Sequence, residues 1–163
     1  MKKSVFWSML TLAVVAMMSV GFASCGSDDD DVKGGGAELT GSWKKTYEHE
    51  IEYEKDGSGK WVQLGEYEHS YADNDNVSGI KFMAGGNAKG LWFWNGTVEE
   101  EDDFKYQINN GHLYLLEVDE ADTDGWEDWG KITISGNTFE LSYEDYDGSN
   151  YKYVGVMRFK KVG

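Results

Sequence analysis

From Trp43 to Tyr53 the odd positions carry Trp43, Lys45, Tyr47, His49, Ile51 and Tyr53, and the even ones from 48 onward carry Glu48, Glu50 and Glu52, with Glu54 next in the series. A two-residue period held this long is the pattern of a β-strand, whose successive side chains point to opposite faces. The same alternation returns between glycine-, asparagine- and aspartate-containing breaks. It is seen at Trp61–Tyr71, around Ile80 and Phe82, in Leu91–Trp94, at Phe104–Ile108, in Leu113–Val118, around Ile132 and Ile134, at Phe139–Tyr143 and at Tyr151–Phe159. With no proline and 21 glycines, the chain reads as short strands joined by local turns, and Gly136-Asn137 between two alternating runs is a hairpin signal.

The expected fold is all-β, an eight-stranded antiparallel up-and-down barrel spanning residues 39–163. A meander of hairpins leaves two exposed edges unless it closes, and eight strands enclose room for side chains or one small ligand. A two-sheet sandwich has the same periodicity and stays open as an alternative. The acidic stretch Glu99–Asp103 reads as a loop.

The N-terminus is organised differently. Lys2 and Lys3 precede an apolar stretch from Val5 to Phe22, the layout of a signal peptide over residues 1–24. Phe22-Ala23-Ser24 then leads into Cys25, the single cysteine, which is followed by Gly26, Ser27 and the run Asp28–Asp31. This segment resembles a bacterial lipobox, and in particular the lipoproteins of Bacteroidetes-like bacteria, whose acidic run after the cysteine marks export to the cell surface. The resemblance implies diacylglycerol on Cys25, cleavage before it and stable anchoring by two or three acyl chains. Residues 25–38, with Gly34-Gly35-Gly36, then form a flexible tether. An uncleaved anchor or an ordinary signal peptide would export the domain equally.

After cleavage 13 basic side chains remain against 30 acidic ones, a net charge of −17. That charge excludes nucleic acid as a partner and disfavours anionic ligands. Twenty-four Phe, Trp and Tyr residues supply the apolar surface that a disordered acidic chain lacks.

The run Leu39-Thr40-Gly41-Ser42-Trp43 resembles the Gly-x-Trp opening of lipocalins and lipocalin-like domains. The resemblance implies that Trp43 closes one barrel end and stacks against an arginine of the last strand, here Arg158. Gly41, Trp43 and Arg158 are therefore the expected structural signature.

Candidate ligand contacts are Tyr47 and His49 if the odd face of the first strand points inward, with Tyr67, His69 or Tyr71 beside them. Trp92 and Trp94 share a face, and with Trp126 and Trp129 they could instead form sugar-stacking platforms. Glu120, Asp122, Asp124 and Asp128 around Gly125 have partial calcium-loop spacing, but Lys131 stands where the bidentate glutamate belongs. No nucleophile elbow, phosphate loop or metal-spaced histidine set appears. The expectation is thus a non-enzymatic, monomeric outer-membrane lipoprotein, without a cofactor and exposed at the cell surface or facing the periplasm. It binds a small apolar or amphipathic molecule; the alternative is a filled barrel that engages glycan or another protein.

Growth with an alkyne analogue of palmitate is expected to label the chain in a bacterial host. Cys25→Ser should abolish the label, and a labelled Cys25→Ser chain would remove the lipid anchor from this reading.

Overall fold

The computed structural model describes residues 38–118 and 125–163. The signal segment, Cys25, almost all of the tether and Glu120, Asp122 and Asp124 lie outside the described residues. Among those described there is no helix. The strands are β1 (Gly41–Lys55), β2 (Trp61–Ser70), β3 (Val77–Met83), β4 (Asn87–Trp94), β5 (Thr97–Asn109), β6 (His112–Glu117), β7 (Glu127–Ser135), β8 (Thr138–Asp147) and β9 (Tyr151–Val162).

Antiparallel pairing runs β1-β3-β4-β5-β6-β7-β8-β9 and returns from β9 to β1, which closes an eight-stranded up-and-down barrel. Closure removes the open edges of the meander and decides between barrel and sandwich. The strand total is nine rather than eight, because β2 stands outside the ring. The first four residues of β1 pair with β3, whereas Tyr47–Lys55 pair with β2. One long strand therefore serves the barrel and then carries a hairpin past it.

The change of neighbour coincides with a β-bulge. Lys45 is paired with Phe159 and Tyr47 with Arg158, which leaves Thr46 unpaired with β9. Its backbone oxygen instead accepts the amide of Tyr71 at 2.9 Å, and its hydroxyl donates to the Arg158 carbonyl at 3.2 Å. An inserted residue reverses which face each later side chain takes. Trp43 and Lys45 point inward before the bulge and Glu48 and Glu50 after it, while Ile51 is buried in a separate cluster with Val154.

Glu99–Asp103 is strand, not loop, and forms part of β5. Asn95 and Gly96 both have positive φ, at 48° and 78°, so the chain reverses in two residues and β5 begins immediately. The acidic strand is held on its outer face by Lys81, 2.5 Å from Glu100, and by Lys89, 3.0 Å from Asp103.

The core fills one end of the barrel. Trp43 is fully buried, packs edge-on against Phe139 at 5.0 Å and donates its indole N–H to the Leu39 carbonyl at 2.6 Å. Phe82, Tyr106 and Phe159 complete this aromatic layer. Outside the ring, Lys44 donates to the carbonyls of Ala72 and Asp73, which pins the 71–76 crossover over a second apolar cluster of Val77, Leu91 and Phe93.

The signature expected of Trp43 and Arg158 is corrected by the register. Trp43 is paired with Lys161, whose Nζ lies 5.1 Å from the indole centroid, and Arg158 is three residues away on the outer face. There its guanidinium stacks on Tyr47 at 4.6 Å and donates to Glu140 at 2.7 Å. Gly41, at φ 131°, leaves the space that the Lys161 side chain occupies.

Gly79 tests the β1–β3 seam, since a methyl group there would overlap the Trp43 carbonyl oxygen and the Phe93 ring. Gly79→Ala is expected to cost about 1–3 kcal/mol in urea unfolding, the usual penalty of overpacking. An unchanged midpoint would contradict this seam.

Candidate ligand-binding site

Above the aromatic layer the barrel encloses a cavity of about 320 Å³. Its inner walls are Ile80, Leu113, Phe139, Leu141, Met157 and Phe159, contributed by β3, β6, β8 and β9. Nearer the turns of the other end stand Trp92, Trp94 and Trp129, with Glu99 and Glu101 at the mouth. Trp129 packs against Phe104 with ring centroids 6.4 Å apart, and Trp94, the last residue of β4, is 51% exposed. The lining is mostly apolar, with few polar groups, as in sites that enclose small molecules.

The most unusual wall is β1. Lys45 lines the cavity, is 3% exposed and donates to Glu48 Oε2 at 2.8 Å. Tyr71 donates its hydroxyl to the same oxygen at 3.0 Å, and its ring lies 5.3 Å from the Lys45 ammonium. Glu48 Oε1 is buried with no hydrogen-bond partner among the described residues. One pleat further, Glu50 is 2% exposed and accepts from the Tyr143 hydroxyl at 3.3 Å. Tyr143 can reach it because it lies across Gly155, where any side chain would collide with the phenol ring.

Burial, and then the charge of Glu48, push the Glu50 carboxyl up to about 8. Burial raises Tyr71 and Tyr143 as well, with the neighbouring carboxylates adding to the shift, so both remain O–H donors. At the mouth, burial followed by Asp102 and Glu99 raises Glu101.

The sequence-predicted residues separate into three places. Tyr47 and His49 sit on the outer face, where the Tyr47 hydroxyl donates to Glu68 and His49 Nε2 meets Glu66, both at 2.9 Å. Their expected inward orientation is reversed by the Thr46 bulge. Tyr67 and His69 share the Glu48 and Glu50 face, opposite Glu50 and Glu48 respectively, but they stand exposed on β2 beyond the ring. Trp92 and Trp94 line the cavity, as does Trp129, whereas Trp126 is exposed. Of the candidate calcium ligands only Asp128 is described, and its carboxylate holds the Gly130 amide at 2.8 Å and His112 at 3.0 Å. Among the described residues no group of three or more His, Cys, Asp or Glu is placed to hold a metal ion.

Sequence reasoning missed Lys45, Glu48, Glu50 and Tyr143, because alternation without a bulge assigns the glutamates to solvent. Comparison with protein-family models, with curated proteins and with solved structures finds no match.

Glu50 leaves a measurable trace in stability. Folding raises its pKa from 4.5 to about 8. Between those values the native state holds a proton that the unfolded state has released, so stability present at low pH is lost as pH rises through about 8. Glu50→Gln keeps the shape without the titration and is expected to flatten this part of the curve. Equal slopes of urea midpoint against pH in both proteins would assign the dependence to other groups.

Proposed function

We propose that this chain is an exported lipoprotein, held at the outer membrane by lipid on Cys25, whose barrel binds a small apolar or amphipathic molecule in its interior. The observation that carries the reading is the cavity. At about 320 Å³ it reaches the size range of small-molecule sites, roughly 300–1,000 Å³, and its walls are largely hydrophobic and aromatic. A filled barrel would leave no such space. The closed ring also suits a carrier, because its hydrogen-bonded wall holds shape whether or not the interior is occupied.

The domain organisation supports the cellular half of the reading. Leu39, the first residue after the tether, is fully buried beneath Trp43. The described chain therefore enters the barrel at the end that Trp43 closes, away from the cavity mouth.

Interior binding is tested by titrating the full chain with N-phenyl-1-naphthylamine, an uncharged apolar fluorophore. We expect saturable one-to-one binding with quenching of tryptophan emission, since Trp92, Trp94 and Trp129 line the cavity. Leu141→Trp and Met157→Trp, each of which adds an indole to that space, should weaken the affinity about tenfold or more while the cooperative melting transition is retained. Binding that is unaffected by both substitutions would place the probe elsewhere and overturn the reading.

A further inference from the structure

We infer that the outer edge of β2 receives an extended segment of another protein, one that alternates basic and apolar side chains and joins the sheet as a further strand. The inference is independent of what occupies the cavity.

β2 is hydrogen-bonded to β1 alone, so among the described residues its other edge meets no strand. Two bonds fix which backbone groups face outward. The Tyr71 amide donates to the Thr46 carbonyl, and on the opposite side of β1 the Lys55 amide donates to the carbonyl of Asn150, just before β9. Hydrogen-bonded pairs alternate along an antiparallel ladder, so the even-numbered residues of β1 are bonded toward β2 and the odd-numbered ones toward β9. The bonded pairs are then Glu48 with His69 and Glu50 with Tyr67, which turns the N–H and C=O groups of Glu66 and Glu68 away from β1 to the open edge. Gly65 pairs with Glu52 and Gln63 with Tyr53, so a bulge at Leu64 ends this regular stretch. β2 contains neither lysine nor proline, two residues that commonly blunt an open edge.

The side chains state what the edge prefers. Every residue of β2 is exposed or half-buried. On one face Glu66 meets His49 and Glu68 accepts from the Tyr47 hydroxyl, and among the described residues neither glutamate forms an ion pair with a lysine or arginine. On the other face Tyr67 stacks on His69 with centroids 6.2 Å apart, and His69 meets Tyr71 edge-on at 4.5 Å. An added strand sends alternate side chains to these two faces, so lysine or arginine beside the glutamates and apolar groups beside the rings form the complementary pattern. A second copy of the chain fits less well. Antiparallel self-pairing through the outward groups sets glutamate against glutamate, whether Glu66 meets Glu66, Glu66 meets Glu68 or Glu68 meets Glu68, and like charges directly opposite are destabilising. The net charge of −15 opposes the same approach and attracts a basic partner.

The test titrates the full chain into a fluorescein-labelled (Lys-Val)4 peptide amide and follows anisotropy, with NMR amide exchange as the positional readout. We expect saturable one-to-one binding, (Glu-Val)4 at least tenfold weaker, and exchange of the Glu66 and Glu68 amides slowed about tenfold at saturation. Glu68→Pro removes an outward N–H and spares the β1 ladder, so it should weaken binding about tenfold beyond Glu68→Gln, which removes the charge alone. Should Glu68→Pro fail to fold, Glu66→Lys combined with Glu68→Lys keeps the backbone and is expected to turn the preference toward (Glu-Val)4. Unchanged exchange at Glu66 and Glu68, or equal affinities of folded Glu68→Pro and Glu68→Gln, would reduce the binding to diffuse charge attraction and overturn strand docking. Concentration-dependent dimerisation in sedimentation that Glu68→Pro abolishes would assign the edge to a second copy instead. Failure of (Lys-Val)4 to bind would overturn the proposal outright.

Discussion

The bulge at Thr46 is the constraint on which the rest of the molecule turns. With β1 regular along its length, Tyr47, His49 and Ile51 would follow Trp43 and Lys45 into the barrel and the glutamates would meet water. The extra residue moves every later side chain to the other face, so Glu48 and Glu50 enter the interior and Tyr47 and His49 leave it. The same residue is where β1 exchanges β3 for β2. Its free carbonyl takes the Tyr71 amide, which brings the Tyr71 phenol against Glu48. Strand pairing, the position of the outer hairpin and the burial of the two glutamates thus have one local cause.

Two buried glutamates side by side carry a large desolvation penalty, and the fold limits it in three ways. Lys45, three residues before Glu48, gives it a counter-charge at 2.8 Å. Tyr71 and Tyr143 each contribute a phenol O–H. Glu50 retains its proton near neutral pH, so the pair carries one negative charge rather than two. The incomplete satisfaction of Glu48 is tolerated because the packing of Trp43, Phe82, Phe139 and Phe159 supplies the apolar burial that a barrel needs. Phe139 and Phe159 belong both to that core and to the cavity wall, so the two are continuous.

The all-β class and nearly every strand were legible from period-two alternation, because turns marked by glycine and asparagine are written locally. What escaped were features that depend on partners distant in sequence. No residue near Thr46 announces a bulge, since its cause is a β9 register set more than a hundred positions away. Glu99–Asp103 looked like a loop because the lysines that stabilise it as strand, Lys81 and Lys89, belong to β3 and β4. Arg158 was assigned to Trp43 by resemblance, whereas pairing places Lys161 there. Trp92 and Trp94 were grouped together because a shared face needs only spacing. That this face was the cavity wall required the ring to close.

The hairpin of β1 and β2 beyond the ring gives the mouth its asymmetry. On the side of β4 and β5 the barrel stops at a two-residue turn, and Trp94 and Glu99 stand at its lip. On the side of β1 the sheet continues past the ring, and Tyr67, His69 and Tyr71 extend the face that carries Glu50 and Glu48. A molecule approaching the cavity therefore meets the exposed rings of Tyr67 and His69 and the carboxyls of Glu99 and Glu101 before it meets the enclosed apolar space. Electrostatic attraction acts over about 8–10 Å at physiological salt, whereas apolar burial requires contact. Charge at the lip therefore acts at a distance, whereas the tryptophans and apolar walls act only on contact.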